Sequence, residues 1–189
     1  FLIVSLDYGG PFLVKESKFR NKRIIKTYIC IFVCFSTKAV HIELVSDLTS
    51  EAFLNSLKRF VARRGLPKEI HSDNATNFVR SNKDLTQVHS NLSQMGGFMK
   101  DYLLENKITW KFIPPNSPHF GGLHESAIKS AKGHLKRVMH GTAFTVESLN
   151  TVLCQIESIL NSRPLYPISN DPQDLSALTP AHFLIGEPM

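Results

Sequence analysis

The chain has 189 residues, a formal net charge of +6 and a hydrophobic content of 42%. This length suits one domain, and the apolar content is sufficient for a core, so a mainly disordered chain is excluded. The longest apolar run, around 29–35, is much shorter than the roughly 20 residues that cross a bilayer, so we expect no transmembrane helix and no membrane partner. The sequence begins inside an apolar run at Phe1, which indicates a piece excised from a longer protein.

The positive charge is unevenly distributed along the chain. Residues 1–137 contain 21 Lys and Arg against 11 Asp and Glu, a net charge of +10. Residues 138–189 contain one Arg and no Lys against five Asp and Glu, a net charge of −4. Many inert domains have a similar overall balance, but a polyanionic partner, if there is one, is expected to bind the first part.

The cysteine pattern favours free thiols. Cys30, Cys34 and Cys154 form no CxxC pair, and an odd number of cysteines leaves at least one unpaired. We expect buried thiols and a reducing compartment. The eight histidines show no zinc-site spacing beside two cysteines, so a structural zinc site is not predicted.

The first part of the chain predicts strands followed by a helix. Segments with the alternation or continuous hydrophobicity of strands are 1–6, 24–35, 40–45 and 69–72. The first of these is expected to end at Asp7, and the breaker Tyr8-Gly9-Gly10-Pro11 predicts a turn or a bulge after it. The short turn at 36–38 predicts an antiparallel hairpin of strands two and three. A helix is predicted over 50–64, capped by Thr49 or Ser50 and ended by Gly65.

The second part alternates helices with one more strand. The predicted elements are a helix over 98–106, a strand over 108–113, and helices over 123–139 and 146–160. Pro and Gly residues within 114–122 predict a mobile loop, and the tail from Asn161 is Pro-rich and irregular. This order of elements predicts an α/β fold with a mixed five-stranded sheet flanked by helices.

Three carboxylates can share one pocket in such a fold. Asp7 and Asp73 follow strands one and four, and Glu125 follows the predicted loop. Each also has an ordinary structural explanation, as a turn residue, an Asx-turn and a first-turn acid favoured by the helix dipole. If strand four pairs beside strand one, however, Asp7 and Asp73 meet at one edge of the sheet.

The helix around 123–139 adds a row of basic residues. Its inward face is predicted to consist of His124, Ile128, Ala131, Leu135 and Val138. A separate stripe consists of Glu125, Lys129, Lys132 and Lys136. An i,i+4 ion pair would explain the pair Glu125 and Lys129, but not the two further lysines. The full row instead indicates a basic ridge that lies along a phosphate backbone. For the basic residues of the 50–64 helix, a solvated face is favoured over phosphate contact; these are Lys58, Arg59, Arg63 and Arg64.

Three carboxylates in basic surroundings are typical of two-metal phosphoryl transfer. Mg²⁺ or Mn²⁺ binds carboxylate oxygens and keeps water and substrate phosphate oxygens as its other ligands. Two such ions activate the attacking oxygen and stabilise the leaving 3′ oxygen. A Ser/His/Asp hydrolase is disfavoured because no serine lies in a GxSxG context.

Several motifs together resemble the catalytic core of retroviral-type integrases, and most closely those of Bel/Pao-class long-terminal-repeat retrotransposons. The motifs that contain the three carboxylates are Leu6-Asp7-Tyr8-Gly9-Gly10-Pro11-Phe12, Ser72-Asp73-Asn74-Ala75-Thr76-Asn77-Phe78 and Gly121-Gly122-Leu123-His124-Glu125. The supporting motifs are Arg63-Arg64-Gly65-Leu66-Pro67, Asn161-Ser162-Arg163-Pro164-Leu165 and Leu178-Thr179-Pro180-Ala181-His182-Phe183. The interval of 51 residues between Asp73 and Glu125 is longer than the retroviral one and favours the Bel/Pao likeness.

The resemblance implies a ribonuclease H-like fold and a DDE active site of Asp7, Asp73 and Glu125 that binds two Mg²⁺ or Mn²⁺ ions. The implied reactions are trimming of the element's 3′ DNA ends and attack of those ends on target DNA. Residues implied to contact DNA or shape the site around it are Asn74, His119, Lys129, Lys132 and Lys136. The core is expected to span 1–165, with 166–189 as an irregular extension of the same domain.

The resemblance also implies a biological setting: homo-oligomers on paired DNA ends, integration in the nucleus, and cytoplasmic virus-like particles before that. The integrase's zinc-binding and DNA-binding terminal domains are expected to lie outside this sequence. Two alternatives remain open. One is a non-catalytic, domesticated DNA-binding or assembly module of the same fold. The other is a ribonuclease H, which would need a further carboxylate, with Glu51 as the candidate.

Overall fold

The computed structural model describes residues 1–16, 23–72, 97–112, 118–138, 144–171 and 173–189, with the backbone alone for 118–125 and Ile128. The strands are β1 (Ile3–Lys15), β2 (Ile24–Cys34), β3 (Val40–Val45), β4 (Glu69–Ser72), β5 (Thr109–Phe112), β6 (Tyr166–Pro167) and β7 (Ala177–Leu178). The helices are α1 (Ser50–Arg64), α2 (Gly97–Glu105), α3 (Pro118–Val138), α4 (Val146–Asn161) and α5 (His182–Ile185).

One mixed sheet organises the chain, with the strand order β3-β2-β1-β4-β5. β1 and β2 pair antiparallel, as do β2 and β3, whereas β4 pairs parallel to both β1 and β5. The predicted fold class, a mixed five-stranded α/β sheet, is confirmed. The predicted hairpin and the position of strand four beside strand one are also confirmed.

β1 is longer than the sequence predicts. It continues through the predicted breaker to Lys15, because β2 pairs with it on both sides of a register shift between Gly9 and Phe12. Gly10, at this register shift, has a positive φ of 131°, a conformation that glycine adopts without steric cost. The prediction that the strand ends at Asp7 is therefore wrong, whereas the bulge predicted as one alternative for the breaker matches this register shift.

The two faces of the sheet carry separate cores. Alternate residues of β1, including Leu6 and Tyr8, pack with Cys30, Phe53 and Phe60 beneath α1 and α2. The opposite face is apolar along β2 and packs against α3 and α4, with Ile29, Ile31, Ala131, Leu135, Leu149 and Leu153 in one buried cluster. Because side chains alternate along a strand, Asp7 and Gly9 belong to this second face.

The helices follow the predictions with local differences. α1 has the predicted bounds, and the Thr49 hydroxyl accepts a hydrogen bond from the Ala52 N–H as its cap. α3 begins at Pro118, so the predicted loop over 114–122 is wrong for 118–122, since proline is well tolerated in the first turn of a helix. The part of the inward face with described side chains comprises Ala127, Ala131 and Leu135, whereas Val138 is 46% exposed, contrary to prediction.

The C-terminal part is more ordered than predicted. β6 and β7 form a two-stranded antiparallel sheet, and the short helix α5 follows them. Cys30 and Cys34 are buried free thiols as expected, but Cys154 is exposed on α4. Among the described helices, none combines the length and the apolar character needed to cross a membrane.

A charged cluster is buried between β3, α1 and α4. His41 and Glu43 alternate with apolar residues of β3, yet the His41 side chain is completely buried and that of Glu43 is 4% exposed. Glu43 forms ion pairs with Arg59 and Arg63, and Glu157 forms one with Arg64. The His41 ring contacts both carboxylates. Three arginines of α1 therefore bind carboxylates, which corrects the expectation of a solvated face there.

Candidate active site

Asp7 directly follows the part of the β1–β4 pairing that the structure describes. The paired residues run from Ile3 with Glu69 to Leu6 with Ser72, so Asp7 is the first residue of β1 beyond them. Asp7 is half-buried, and its carboxylate Oδ1 accepts a hydrogen bond from the Tyr8 N–H at 2.6 Å. Asp7 therefore lies on the carboxyl side of the described β1–β4 pairing, towards the edge at which open α/β sheets place their ligands.

The end of β4 is anchored by an aromatic side chain. The Trp110 indole Nε1–H donates a hydrogen bond to the buried Ser72 hydroxyl at 3.0 Å. Trp110 also packs edge-on against Phe53, with ring centroids 5.5 Å apart. Ser72, the partner of Leu6, is thereby held in place immediately before Asp73 in the chain. Asp73 itself and Asn74 lie outside the described residues.

Helix α3 crosses the same face of β1 beside Asp7. Lys132 is half-buried, and its Cε would lie 3.1 Å from a Cβ added at Gly9. Gly9 follows Asp7 by two residues and so shares its face of the strand. Glu125 precedes Lys132 by seven residues, or about two helical turns, and therefore lies on the same side of α3. The backbone thus brings the helix that contains Glu125 to the strand that contains Asp7.

The other predicted contact residues are distributed along α3. Lys129 and Lys136 are exposed, as a ridge that contacts a ligand requires. The backbone of His119 and of Glu125 is helical, but the side chains of both lie outside the described residues. The sequence did not indicate that Lys132 differs from its neighbours by packing over the strand. The glycine at position 9, which leaves room for it, is the signal that would have indicated this.

We expect Gly9→Ala to destabilise the fold and displace Lys132. The new Cβ would lie 2.9 Å from Ile29 Cγ1 and 3.1 Å from Lys132 Cε, closer than packed side chains tolerate. Overpacking of this kind costs about 1–3 kcal/mol, measurable by denaturant unfolding. Gly133→Ala is the matched control, because a Cβ there meets nothing within 4 Å and the helix gains about 0.5–1 kcal/mol. Equal stability of the Gly9→Ala and wild-type proteins would contradict the close packing.

Tyr8, adjacent to Asp7, contributes no charge to this region. Its side chain is buried in the first core, and burial raises the pKa of its hydroxyl well above the ordinary value. The hydroxyl is therefore neutral at physiological pH. The charges that the described residues bring to this face of β1 are the Asp7 carboxylate and the Lys132 ammonium, an acid and a base on neighbouring elements.

The described part of the site matches a divalent-cation site in donor type but contains only part of the predicted ligand set. Asp7 supplies carboxylate oxygens, which Mg²⁺ and Mn²⁺ prefer, and it remains partly accessible to solvent. Within the described ranges, no three His, Cys, Asp or Glu residues are grouped closely enough to hold a metal ion. Asp73 and the Glu125 side chain lie outside those ranges, so the predicted ligand set remains a prediction.

Comparison with known proteins identifies a shared fold. No model of a known protein family matches the sequence, and no curated protein matches it. A chain in the cryo-electron microscopy structure of the simian T-cell lymphotropic virus intasome in complex with the PP2A regulatory subunit B56 gamma has a similar structure, with a TM-score of 0.60 and 15% identity. The match covers 98% of the present chain and 54% of the viral chain. The present chain therefore has the fold of this intasome chain, an integrase-like α/β fold of the ribonuclease H type.

Proposed function

We propose that this chain is the catalytic core of a retroviral-type DNA integrase, most similar to those of Bel/Pao-class retrotransposons. The proposed reactions are trimming of the element's 3′ DNA ends and joining of those ends to target DNA by metal-dependent phosphoryl transfer. The observation that supports this most is the position of Asp7, directly after the described β1–β4 pairing and two residues from Gly9, over which Lys132 of the basic helix α3 packs. The fold shared with an intasome chain supports it independently.

In the proposed site, Asp7, Asp73 and Glu125 hold two Mg²⁺ or Mn²⁺ ions. When bound, the ions would supply Lewis-acid stabilisation of the attacking and leaving oxygens. Asp7 contributes a carboxylate fixed by a rigid central strand, which limits its freedom to move during the reaction. Lys132 is fixed by its packing over Gly9 and can position a DNA phosphate beside that carboxylate.

The proposal is tested by a metal-dependent assay of 3′-end processing and strand transfer. The assay uses the full-length protein and DNA with the sequence of the element's ends, because the present chain spans only part of its structural neighbour. Products that appear with Mg²⁺ or Mn²⁺ and disappear with EDTA are expected. A full-length protein that binds the same DNA but forms no product would instead favour a non-catalytic assembly module of the same fold.

The ribonuclease H alternative has less support from the described residues. Its further carboxylate would have to come from Glu51, which is exposed in the first turn of α1. Helix α1 packs on the first face of the sheet, with Phe53 and Phe60 in that core, whereas Asp7 belongs to the second face. Glu51 and Asp7 are therefore on opposite sides of the sheet.

We expect Lys129→Glu and Lys132→Glu to weaken DNA binding. Each change removes one cation from the ridge, so the slope of log Kd against log salt concentration should decrease by about one. Fluorescence anisotropy with labelled element-end DNA at several salt concentrations measures this slope. Lys107→Glu is a suitable control, because Lys107 follows α2 and lies outside the ridge. A slope unchanged by either ridge substitution would contradict DNA contact along α3.

The biological setting follows from the same proposal. DNA ends and target DNA would be the partners, and homo-oligomers would assemble on paired ends. Integration would take place in the nucleus, after a stage in cytoplasmic virus-like particles. The division into a core over 1–165 and an extension over 166–189 is likewise proposed.

A further inference from the structure

The outer edge of β3 is an edge of the sheet at which a further strand could pair, but side chains bind its backbone groups instead. β3 pairs with β2 along one edge and is the last strand of the five-stranded sheet on that side. Its outward backbone groups belong to alternate residues, here Val40, Ile42 and Leu44. Such groups, if left unpaired, form a template for a strand from another chain.

Asn161 pairs with Val40 as a neighbouring strand residue would. Its side-chain Oδ1 accepts a hydrogen bond from the Val40 N–H at 2.8 Å, and its Nδ2 donates one to the Val40 carbonyl at 2.8 Å. Two residues along, the Glu157 carboxylate accepts a hydrogen bond from the Ile42 N–H at 2.7 Å. Two side chains of α4 therefore bind three successive outward backbone groups of β3, namely the N–H and carbonyl of Val40 and the N–H of Ile42.

Two arginines continue the ladder at its ends. Arg163 donates a hydrogen bond to the Lys38 carbonyl at 2.6 Å, just before β3. Arg59 of α1 donates one to the Leu44 carbonyl at 3.1 Å. The side chains of Arg59, Glu157, Asn161 and Arg163, which we call the edge clamp, thus pair with the backbone from Lys38 to Leu44.

The centre of the edge clamp, at Val40 and Asn161, lies in a region that water hardly reaches, whereas the Arg59 side chain at one end is 48% exposed. Val40 and Asn161 are completely buried, and the Glu157 side chain is 12% exposed and paired with Arg64. A backbone group left without a partner there bears the full cost of its lost hydration. Loss of a clamp side chain would therefore leave an edge that gains by pairing with another strand.

We propose that the edge clamp acts in place of a sixth strand and prevents β3 from pairing with β3 of a second copy of the chain. This role is independent of the proposed catalytic activity. Residues of three motifs outside the catalytic triad support the clamp. Arg64 pairs with Glu157, and the Ala181 N–H donates a hydrogen bond to the Asn161 carbonyl at 3.0 Å. The motifs around Arg64, Asn161 and Ala181 thus belong to one structural unit.

Hydrogen exchange and sedimentation velocity of Asn161→Ala test the proposal. We expect the Val40 amide to exchange roughly tenfold faster than in the wild-type protein, as for loss of a buried hydrogen bond. We also expect larger species to increase relative to wild type at equal concentration. Asn150→Ala is the matched control, because Asn150 is exposed on the same helix. Unchanged Val40 exchange would overturn the clamp, and unchanged sedimentation would overturn its role against pairing.

A milder variant keeps the proposal testable if Asn161→Ala does not fold. Glu157→Gln retains an acceptor oxygen but loses the charge, so the Ile42 amide should exchange several times faster while the protein remains folded. Glu147→Gln, exposed near the start of the same helix, is its control and should leave Ile42 unchanged. In the wild-type protein, Val40 and Ile42 amides should be protected although they face outward from the edge strand. Rapid exchange of both would overturn the proposal without any substitution.

Discussion

Asp7→Asn is expected to abolish metal-dependent DNA cleavage and joining while leaving the fold intact. The amide lacks the negative charge that a divalent cation requires, and such an ion is worth several kcal/mol of transition-state stabilisation, or about a thousandfold in rate. The fold should survive because Asn retains the oxygen that accepts the Tyr8 N–H. Glu125→Gln is expected to have the same effect on activity.

The measurement combines the strand-transfer assay with thermal unfolding of each variant. Asp101→Asn is the control, because Asp101 is an exposed carboxylate on α2 and should be dispensable for activity. Retained activity in Asp7→Asn would refute the proposed catalytic site. If activity and the unfolding transition were lost together, Asp7 would have a structural role instead.

Glu43→Gln is expected to cost about 3 kcal/mol of folding free energy at neutral pH. Burial raises the pKa of Glu43, but hydrogen bonds from His41, Arg59 and Arg63 outweigh it and lower the pKa from 4.5 to about 2. Each pKa unit is a tenfold change in the protonation equilibrium and is worth about 1.4 kcal/mol. The fall of the Glu43 pKa from 4.5 to about 2 therefore corresponds to about 3 kcal/mol. Gln cannot carry the charge that these partners stabilise.

The pH dependence of stability gives a second measure of the same interaction. Because the pKa of Glu43 is lower in the folded state than in the unfolded state, its contribution is complete above pH 4.5 and is lost as the pH falls towards 2. Urea unfolding of wild-type protein and Glu43→Gln should give a difference in stability that is smaller at pH 3 than at pH 7. Glu51→Gln, at an exposed site on α1, should follow the wild type. A constant difference between wild type and Glu43→Gln at both pH values would show that the charge is not responsible.

Local signals were sufficient for much of the fold. The bounds of α1 follow from Thr49, Gly65 and the helical spacing of Phe53, Leu57 and Phe60. The position of β4 beside β1 is one of the few that chain order and the allowed connections permit, but the register of the two strands was not predictable from them. The predicted end of β1 is too early because the pairing that extends the strand is long-range. Only the partner strand β2 shows that Gly9 and Gly10 lie within a strand.

The burial of polar residues was less predictable. Alternation in β3 indicated an apolar and a polar face, but both are buried because α1 provides arginine counterions for Glu43 and α4 provides the Glu157 carboxylate beside His41. Those counterions are distant in sequence, and a basic residue such as Arg64 has the same local pattern whether it binds a carboxylate or solvent. The helical spacing predicted the stripe of Glu125, Lys129, Lys132 and Lys136. It did not show that Lys132 packs over β1.

The edge clamp has a consequence for how the protein is made. Val40 and Asn161 are 121 residues apart, so the ribosome must add that length before the outer edge of β3 can be covered. At elongation rates of about 5–20 residues per second, the interval lasts roughly 6–24 s. The β2–β3 hairpin has local contacts that can form early, and it then presents an open edge while neighbouring nascent chains carry the same one. Pauses in translation before Asn161 would lengthen that exposure, so we expect slower synthesis to lower the yield of soluble protein.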